Sequence, residues 1–132
     1  MNQAVSLAFS GRTAIVTGSG KNIGRAMALS LAVQGANVVV NGHQDRAAVD
    51  AVVEEIKASA GQAMGFMADV SEDLEVAEMV KATVAQYGSV DIAVSNVGIR
   101  LKQAFLDISP EDWDSVMQTN LTPAFYVARH VI

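Results

Sequence analysis

Residues 13–24 read TAIVTGSGKNIG and join a short β-branched run to a glycine-bearing turn. Apolar side chains at helical spacing follow at once, at Ile23, Ala26, Met27 and Leu31. A strand that turns tightly into a helix directs free backbone N–H groups and the positive end of the helix dipole at one point, which suits a phosphate or pyrophosphate. Glycine suits such a turn because it reaches positive φ and lets a ligand approach the backbone closely. The stretch therefore predicts a nucleotide site.

The spacing of the glycines distinguishes between kinds of nucleotide-binding turn. The P-loop pattern G-x-x-x-x-G-K-S/T is absent, because Ile15 stands at its first glycine and Asn22 follows its lysine. The dinucleotide pattern G-x-G-x-x-G is also absent, since Ile23 stands at its last glycine. What remains is T-G-x-x-x-N-I-G over residues 17–24. An ordinary strand-to-helix turn is the alternative interpretation.

Composition and charge limit the classes of protein that the sequence allows. At 132 residues, with 51% hydrophobic and 17% charged residues, it suits one globular domain with its own core. A net charge of −5 without a Lys/Arg cluster argues against nucleic acid or an anionic membrane as a partner. The absence of cysteine excludes disulfides, thiolate metal sites and a cysteine nucleophile. Because His43 and His130 have no metal-ligand spacing, we expect no metal.

Charge and hydropathy also bear on cellular location. Residues 1–10 carry no positive charge ahead of their short apolar stretch, which is unlike a signal peptide. No apolar segment approaches the length that spans a membrane. We therefore expect a cytoplasmic protein that does not contact a membrane.

Strand and helix patterns alternate along the rest of the chain. Further strands are predicted at 38–40, 63–68 and 91–95, and a helix is predicted at 46–59. The next helix, with Ser71 as its N-cap, ends at Gly88. Its apolar residues fall on one face: Val76, Val80, Val84 and Tyr87.

A last helix follows an irregular stretch at 96–108. Ser109 is its predicted N-cap, Pro110 stands at the first helical position, and Asp112 is placed to complete a capping box. The pattern predicts one helix from there to Ile132.

The alternation of strands and helices predicts the fold class. Right-handed crossovers imply a Rossmann-type, doubly wound α/β domain over residues 1–132, with a parallel sheet in the order 3-2-1-4 and its ligand between strands 1 and 4. Strand 4 would be an edge, although Ile92 and Val94 are typical of an interior strand. The last helix also ends without a cap. We therefore expect the chain to be the truncated, N-terminal portion of a longer fold.

The turn at residues 17–24 closely resembles the T-G-x-x-x-G-x-G turn of the short-chain dehydrogenase/reductase family. Asn22 replaces the middle glycine, and asparagine tolerates left-handed backbone better than most residues. The resemblance covers nearly the whole chain and is strongest to 3-oxoacyl-ACP reductase-like members. It implies that the turn binds a nicotinamide dinucleotide through Gly18, Ser19, Lys21, Asn22, Ile23 and Gly24.

Three further segments resemble the family in the same order along the chain. Asp69-Val70 matches an Asp-Val pair whose carboxylate accepts from the adenine amino group, and a turn aspartate is the alternative. Asn96 and Gly98 match a segment beneath the cofactor, for which a plain Asn/Gly turn is the alternative. Asn120 matches a helical asparagine whose backbone carbonyl holds a water in the catalytic proton relay. Otherwise it would be a solvent-facing residue.

Charge placement at the end of strand 2 bears on the cofactor. NAD-preferring members carry an acid there, whereas a 2′-phosphate repels an acid and needs a cation. Here Gly42 stands at the position of that acid, and Lys21 stands where NADP-preferring relatives carry a basic residue. His43 and Arg46 are further candidates. We expect NADP(H), with NAD(H) possible. The alternative is that these are surface and turn residues.

The family's catalytic serine and its Tyr-x-x-x-Lys pair come after the point where this chain ends. Tyr126 and His130 have the same spacing but lie too early, so we interpret Phe125, Tyr126 and Val127 as packing residues. The resemblance implies hydride transfer between nicotinamide and a carbonyl or alcohol substrate, with this chain supplying the cofactor-binding half and itself inactive.

Two other hypotheses stay open at this point. The first is a catalytically inert dinucleotide-binding module or sensor. The second makes the last helix the assembly surface of a homo-oligomer, a dimer or tetramer, through these residues: Trp113, Met117, Leu121, Phe125 and Val131.

Overall fold

The computed structural model describes residues 7–132, so residues 1–6 of the segment compared with a signal peptide lie outside the described part. The strands are β1 (Thr13–Val16), β2 (Asn37–Gly42), β3 (Gln62–Met67) and β4 (Ile92–Val94). The helices are α1 (Asn22–Val33), α2 (Arg46–Ala58), α3 (Asp73–Tyr87), α4 (Pro110–Asn120) and α5 (Thr122–Val131), with one 3₁₀ turn at Phe105–Asp107.

The strands form one parallel sheet in the order β3-β2-β1-β4. Ile15 of β1 is in register with Val39 of β2 on one side and with Ala93 of β4 on the other. The predicted doubly wound α/β fold and its strand order are confirmed. All strands run in the same direction, so their carboxyl ends lie along one edge of the sheet, where β1 separates β2 from β4.

The sheet is covered on both faces, which explains the apolar runs in its strands. Ala14, Val16, Val38 and Val40 face one core cluster, which α1 and α2 complete. Ile15 and Val39, which alternate with them, face a second cluster. That cluster is completed from α3 and α5 by Val76, Met79, Val80 and Val127.

The predicted helix after the glycine turn is present and Leu31 packs against the first core cluster, but Ile23 and Met27 of its expected apolar face are exposed. Ile23 is 67% exposed and Met27 is 39% exposed, while Gly24, Ala28 and Ala32 face the sheet. A Cβ at Gly24 would lie 2.3 Å from the carbonyl oxygen of Gly18. Because Gly24 must face the turn, the helix is rotated so that its small side chains pack against the strands.

The start of α3 differs from the prediction, and its predicted apolar face is confirmed except at Val84. Glu72, not Ser71, is the N-cap, and it makes no side-chain capping bond. The Ser71 hydroxyl instead donates to the carboxylate of Asp69, a stronger acceptor than most neutral groups. Val76 and Val80 of the predicted stripe are buried and Tyr87 packs against the second core cluster, but Val84 is exposed and Thr83 is buried beside it.

The last predicted helix is two helices that meet at Leu121. Its start is confirmed, because Ser109 and Asp112 form the reciprocal capping box with Pro110 at the first position. The predicted continuation to Ile132 is wrong. Pro123 has no N–H to donate and its ring clashes with the preceding turn, so the helical hydrogen bonding restarts with α5.

Within residues 7–132, none of the helices combines the length and apolarity that a membrane span requires.

Candidate functional site

An open cleft of about 710 Å³ lies at the carboxyl edge of the sheet. The glycine turn, the end of β2, the residues after β3 and the segment after β4 all line it. Except for Ser19 and the further candidate Arg46, all the residues predicted to bind a cofactor line this cleft: Gly18, Lys21, Asn22, Ile23, Gly24, His43, Asp69, Val70, Asn96 and Gly98. The fold thus brings together residues that are far apart in the sequence.

The glycine turn takes a left-handed backbone at two positions, Gly18 with φ of 61° and Asn22 with φ of 53°. Asn22 therefore adopts the geometry for which asparagine is tolerated in place of glycine. Lys21 is the N-cap of α1 and makes no side-chain capping bond. The first-turn N–H groups of a helix have no partner within it, so this end of α1 offers donors to an anion in the cleft.

Ser19 lies beneath the turn and does not line the cleft. It is fully buried, its hydroxyl donates to the carbonyl of Val16 at 2.6 Å, and it accepts the N–H of Asn41 at 3.0 Å. The Ser19 hydroxyl thus bonds inside the protein, where it ties the turn to β1 and β2.

Asn96 supports the turn from the β4 side. Its side-chain N–H groups donate to the carbonyls of Thr17 and Gly18 at 3.0 and 3.1 Å. Its backbone N–H donates to the Thr17 hydroxyl at 2.9 Å. The amide of Asn96 therefore shapes the floor of the cleft through the turn that it holds.

Asp69 is a fixed carboxylate at the end of β3. It accepts the N–H and the hydroxyl of Ser71 at 3.0 and 2.6 Å, and His43 lies 3.7 Å from its other oxygen. The side-chain hydrogen bond from Ser71 is the main reason that the pKa of Asp69 lies below its ordinary value. The carboxylate is thus held ionised at neutral pH, with one face toward the cleft.

Charged side chains at the end of β2 are divided between the cleft and the surface. Lys21 and His43 line the cleft. Arg46, a further candidate from the sequence, instead pairs with Asp50 along the exposed side of α2. Asp45 also lines the cleft, but its carboxylate caps α2 by accepting the N–H of Ala48 at 3.0 Å.

Asn120, the last residue of α4, lies beside the cleft wall. Its side-chain oxygen accepts the N–H of Ile99 at 2.7 Å and its amide donates to the Ile99 carbonyl at 2.9 Å. The amide of Ala124, which would reach the Asn120 carbonyl in a continuous helix, donates to Leu121. The helix break therefore leaves the Asn120 carbonyl without its regular helical donor.

The Tyr126–His130 pair lies away from the cleft. Tyr126 packs against the second core cluster, and His130 is 2.7 Å from the Asp73 carboxylate at the start of α3. Val127 is buried as expected, whereas Phe125 is 61% exposed and lies near the ring of Tyr126, with the ring centroids 5.8 Å apart. On this helix Val127 faces the sheet, whereas Phe125 faces outward.

The sequence interpretation missed Asn41, which lines the cleft although it is 1% exposed. A polar residue that directly follows the buried run Val38–Val40 is the signal that could have identified it. Among residues 7–132, no group of three His, Asp or Glu side chains could hold a metal ion.

Comparison with known proteins gives consistent relatives. A family model described as short chain dehydrogenase matches residues 12–132. The chain is 44% identical over 116 residues to 3-oxoacyl-(acyl-carrier-protein) reductase FabG of Staphylococcus epidermidis, covering 86% of this chain and 47% of that protein. It is 41% identical over 119 residues to versicolorin reductase 1 of Aspergillus parasiticus, covering 90% of this chain and 45% of that protein.

A solved structure shares the fold. The crystal structure of a dehydrogenase/reductase from Sinorhizobium meliloti superposes with a TM-score of 0.92 at 32% identity, covering 96% of this chain and 50% of that one. The chain therefore spans about half the length of the relatives that it matches.

The contact between Gly24 and Gly18 can be tested by substitution. Gly24→Ala places a methyl group against the Gly18 carbonyl and is expected to lower the free energy of unfolding by about 2 kcal/mol or more. Gly20→Ala is the matched control, because its methyl group would meet side chains of α2 at ordinary distances, and we expect a change within about 0.5 kcal/mol. Urea unfolding measures both. Equal effects of the two substitutions would show that the contact does not constrain the helix.

The hydrogen bond from Ser71 predicts the titration of Asp69. Ser71→Ala is expected to raise the pKa of Asp69 toward its ordinary value, as followed by NMR of the carboxyl carbon. Because the folded-state pKa is lowered, this carboxylate stabilises the fold above its unfolded pKa, and the contribution is lost as the pH falls through the folded value. The substitution should shrink that contribution.

Ser89→Ala is the control for this titration, since the Ser89 hydroxyl donates to Asp91 and not to Asp69. The interpretation fails if Asp69 titrates at the same midpoint in the wild type and in Ser71→Ala.

Proposed function

This chain belongs to the short-chain dehydrogenase family, and from that premise we propose that the protein is an NADP(H)-dependent oxidoreductase. In the proposed reaction the reduced nicotinamide gives a hydride to a carbonyl carbon and a proton goes to the carbonyl oxygen, which yields an alcohol, and the reverse oxidises the alcohol. The observation that carries the proposal is the cleft at the carboxyl edge, which gathers the predicted cofactor residues around a left-handed glycine turn. This chain would supply the cofactor-binding half.

The turn fits a pyrophosphate. The N-terminal end of α1 at Asn22 lines the cleft and carries no acidic residue in its first turn. Free N–H groups and the helix dipole both favour an anion there. Ile23 is exposed at the rim, where an apolar side chain can pack on the ligand.

The end of β3 fits an adenine ring. The Asp69 carboxylate is ionised and anchored by Ser71, so it can accept from an exocyclic amino group without reorganisation. Val70 is buried directly after it and keeps this segment packed on the core. Asn96 and Gly98 line the opposite side of the cleft, under the proposed nicotinamide half.

A 2′-phosphate fits the charges around the end of β2. Lys21 and His43 line the cleft there, and Gly42 offers no carboxylate to repel a phosphate. Two carboxylates oppose the phosphate: Asp45, which caps α2 by accepting the N–H of Ala48, and Asp69, which lies 3.7 Å from His43. We therefore favour NADP(H) over NAD(H).

Asn120 is the proposed relay residue of this half. The break between α4 and α5 leaves its backbone carbonyl free of the Ala124 amide, so the carbonyl can accept from a water. Its side chain is bound to Ile99 and holds the helix end at the cleft wall.

The substrate and the assembly are proposed more coarsely. The names of the relatives include a 3-oxoacyl-(acyl-carrier-protein) reductase and a versicolorin reductase, which supports a carbonyl substrate without choosing one. We also propose a cytoplasmic location. A homo-oligomer is part of the proposal, because the α4–α5 surface exposes apolar side chains that a second copy could cover: Trp113, Leu121 and Phe125. An inert dinucleotide-binding module would use the same cleft and is the second candidate.

The proposal predicts a reaction of the full-length protein. With NADPH and a short 3-oxoacyl thioester, the absorbance of NADPH should fall and one 3-hydroxyacyl product should form for each NADPH consumed. Calorimetric binding of NADP⁺ is measured in parallel. Binding without turnover of this or other carbonyl compounds would favour the inert module, and the absence of binding to either nicotinamide dinucleotide would overturn both candidates.

The cofactor preference predicts an effect of Lys21. Lys21→Ala should raise the Kd for NADP⁺ about tenfold, because a charge-assisted bond to the 2′-phosphate is lost, and should change the Kd for NAD⁺ less than about twofold. Lys57→Ala, at the far end of α2, is the charge-matched control and should alter neither. An equal loss for both dinucleotides would place Lys21 at the pyrophosphate instead.

A further inference from the structure

A buried side-chain amide lies at the centre of the carboxyl edge of the sheet. Asn41 ends the apolar run of β2 and is 1% exposed, beneath the cleft. Leaving an amide of this kind without hydrogen bonds in the interior would cost several kcal/mol. The groups that it bonds to therefore indicate its structural role.

The amide joins three separate segments of the chain. Its oxygen accepts the N–H of Gly18 in the glycine turn at 3.1 Å. Its nitrogen donates toward three carbonyls at the ends of β2 and β3, those of Gly42 at 3.3 Å, Phe66 at 3.1 Å and Ala68 at 3.3 Å. The orientation of the amide follows from these partners, because only its NH₂ end can face carbonyls and only its oxygen can face an N–H.

The backbone of Asn41 holds the same turn. Its N–H donates to the hydroxyl of Ser19 at 3.0 Å, and its carbonyl accepts the N–H of Ser19 at 2.8 Å. Ser19 in turn donates to Val16 at the end of β1. Gly18 and Ser19 are thus fixed to β2 by side-chain and backbone hydrogen bonds together.

Asn96 holds the other side of the same residue. Asn41 accepts from the N–H of Gly18, while Asn96 donates to its carbonyl. Gly18 has a φ of 61°, a region that glycine enters and leaves readily. Hydrogen bonds on both of its peptide groups therefore restrict a residue that would otherwise sample several conformations.

We propose that Asn41 is a positioning residue of the cofactor site, which sets the glycine turn and the end of β3 at one fixed separation. The turn is the proposed pyrophosphate contact, and Ala68 directly precedes Asp69, the proposed adenine contact. A single amide therefore couples the two parts of the cleft that bind the two ends of an adenosine diphosphate group. The inference rests on the function proposed above.

Substitution at Asn41 tests this role against a merely structural one. Asn41→Ala removes all the hydrogen bonds of this side chain. It should raise the Kd for NADP⁺ about tenfold, because part of the binding free energy is then used to order the glycine turn. Thr83→Ala is the matched control: Thr83 is also fully buried, and its hydroxyl bonds only within α3, to Met79. It should lower stability and leave the Kd within about twofold.

Asn41→Asp adds a second test, the pH dependence of the affinity for NADP⁺. The carboxylate can still accept from Gly18, but its second oxygen would face carbonyl oxygens until it is protonated, and then it can donate again. Its affinity for NADP⁺ relative to the wild type should therefore rise as the pH is lowered from about 8 to about 6. Thr83→Ala should show the pH profile of the wild type.

Hydrogen exchange separates this inference from the proposed function. Exchange at Gly18 and Ser19 should be faster in Asn41→Ala than in Thr83→Ala, whether or not a ligand binds. Wild-type protein that binds neither NADP⁺ nor NAD⁺ would overturn the proposed function while the exchange result still decides whether Asn41 holds the turn.

The inference itself is overturned if the wild type binds NADP⁺ and the Asn41 variants bind as Thr83→Ala does. Should Asn41→Ala fail to fold, Asn41→Asp decides: an affinity ratio to the wild type that does not change with pH would overturn the inference.

Discussion

The contact between Gly24 and the carbonyl of Gly18 is the constraint on which the geometry of the cleft depends. An added Cβ would lie 2.3 Å from that oxygen, so only glycine permits α1 to begin so close to the end of β1. This approach fixes the rotation of α1, which turns Ala28 and Ala32 toward the sheet and leaves Ile23 at the cleft rim. The same rotation determines where the first-turn N–H groups lie. The packing of the helix and the anion-binding end of the cleft therefore share one cause.

Polar side chains take over where the hydrogen bonds of the sheet stop. At the carboxyl ends of parallel strands the backbone groups lose their neighbours and must find other partners if they are buried. Asn41 donates to carbonyls at the ends of β2 and β3. Asn96 donates to the carbonyls of Thr17 and Gly18, and the Thr17 hydroxyl donates to the carbonyl of Val94 at the end of β4. These bonds run between strands, so they brace the edge against shear. The hydrogen bonds that satisfy these buried polar groups therefore also fix the floor of the cleft.

The fold could be predicted from the sequence because its signals are local. Buried strands such as Val38–Val40 read as continuous apolar runs, and the capping box at Ser109 depends only on residues three apart. The errors came from contacts that helical and strand periodicity do not describe. The face of α1 depends on the contact between Gly24 and Gly18, and the role of Asn41 depends on Phe66 and Ala68, which lie more than 20 positions away. Pro123 is a local signal for the break at Leu121, but the apolar pattern continues on both sides of it and so favoured a single helix.

Both packing and charge bear on the residue at position 42, where NAD-preferring members of the family carry an acid. A Cβ at Gly42 would lie 2.6 Å from Val49, and a Cβ at Gly65 would lie 2.7 Å from the same side chain. Val49 is almost fully buried, so it cannot move aside without disturbing the contact of α2 with the sheet. Gly42 is therefore required by the position of α2 whichever dinucleotide is bound. It follows that the missing acid at the end of β2 is not in itself a preference for a 2′-phosphate, and that the charge argument rests on Lys21 and His43.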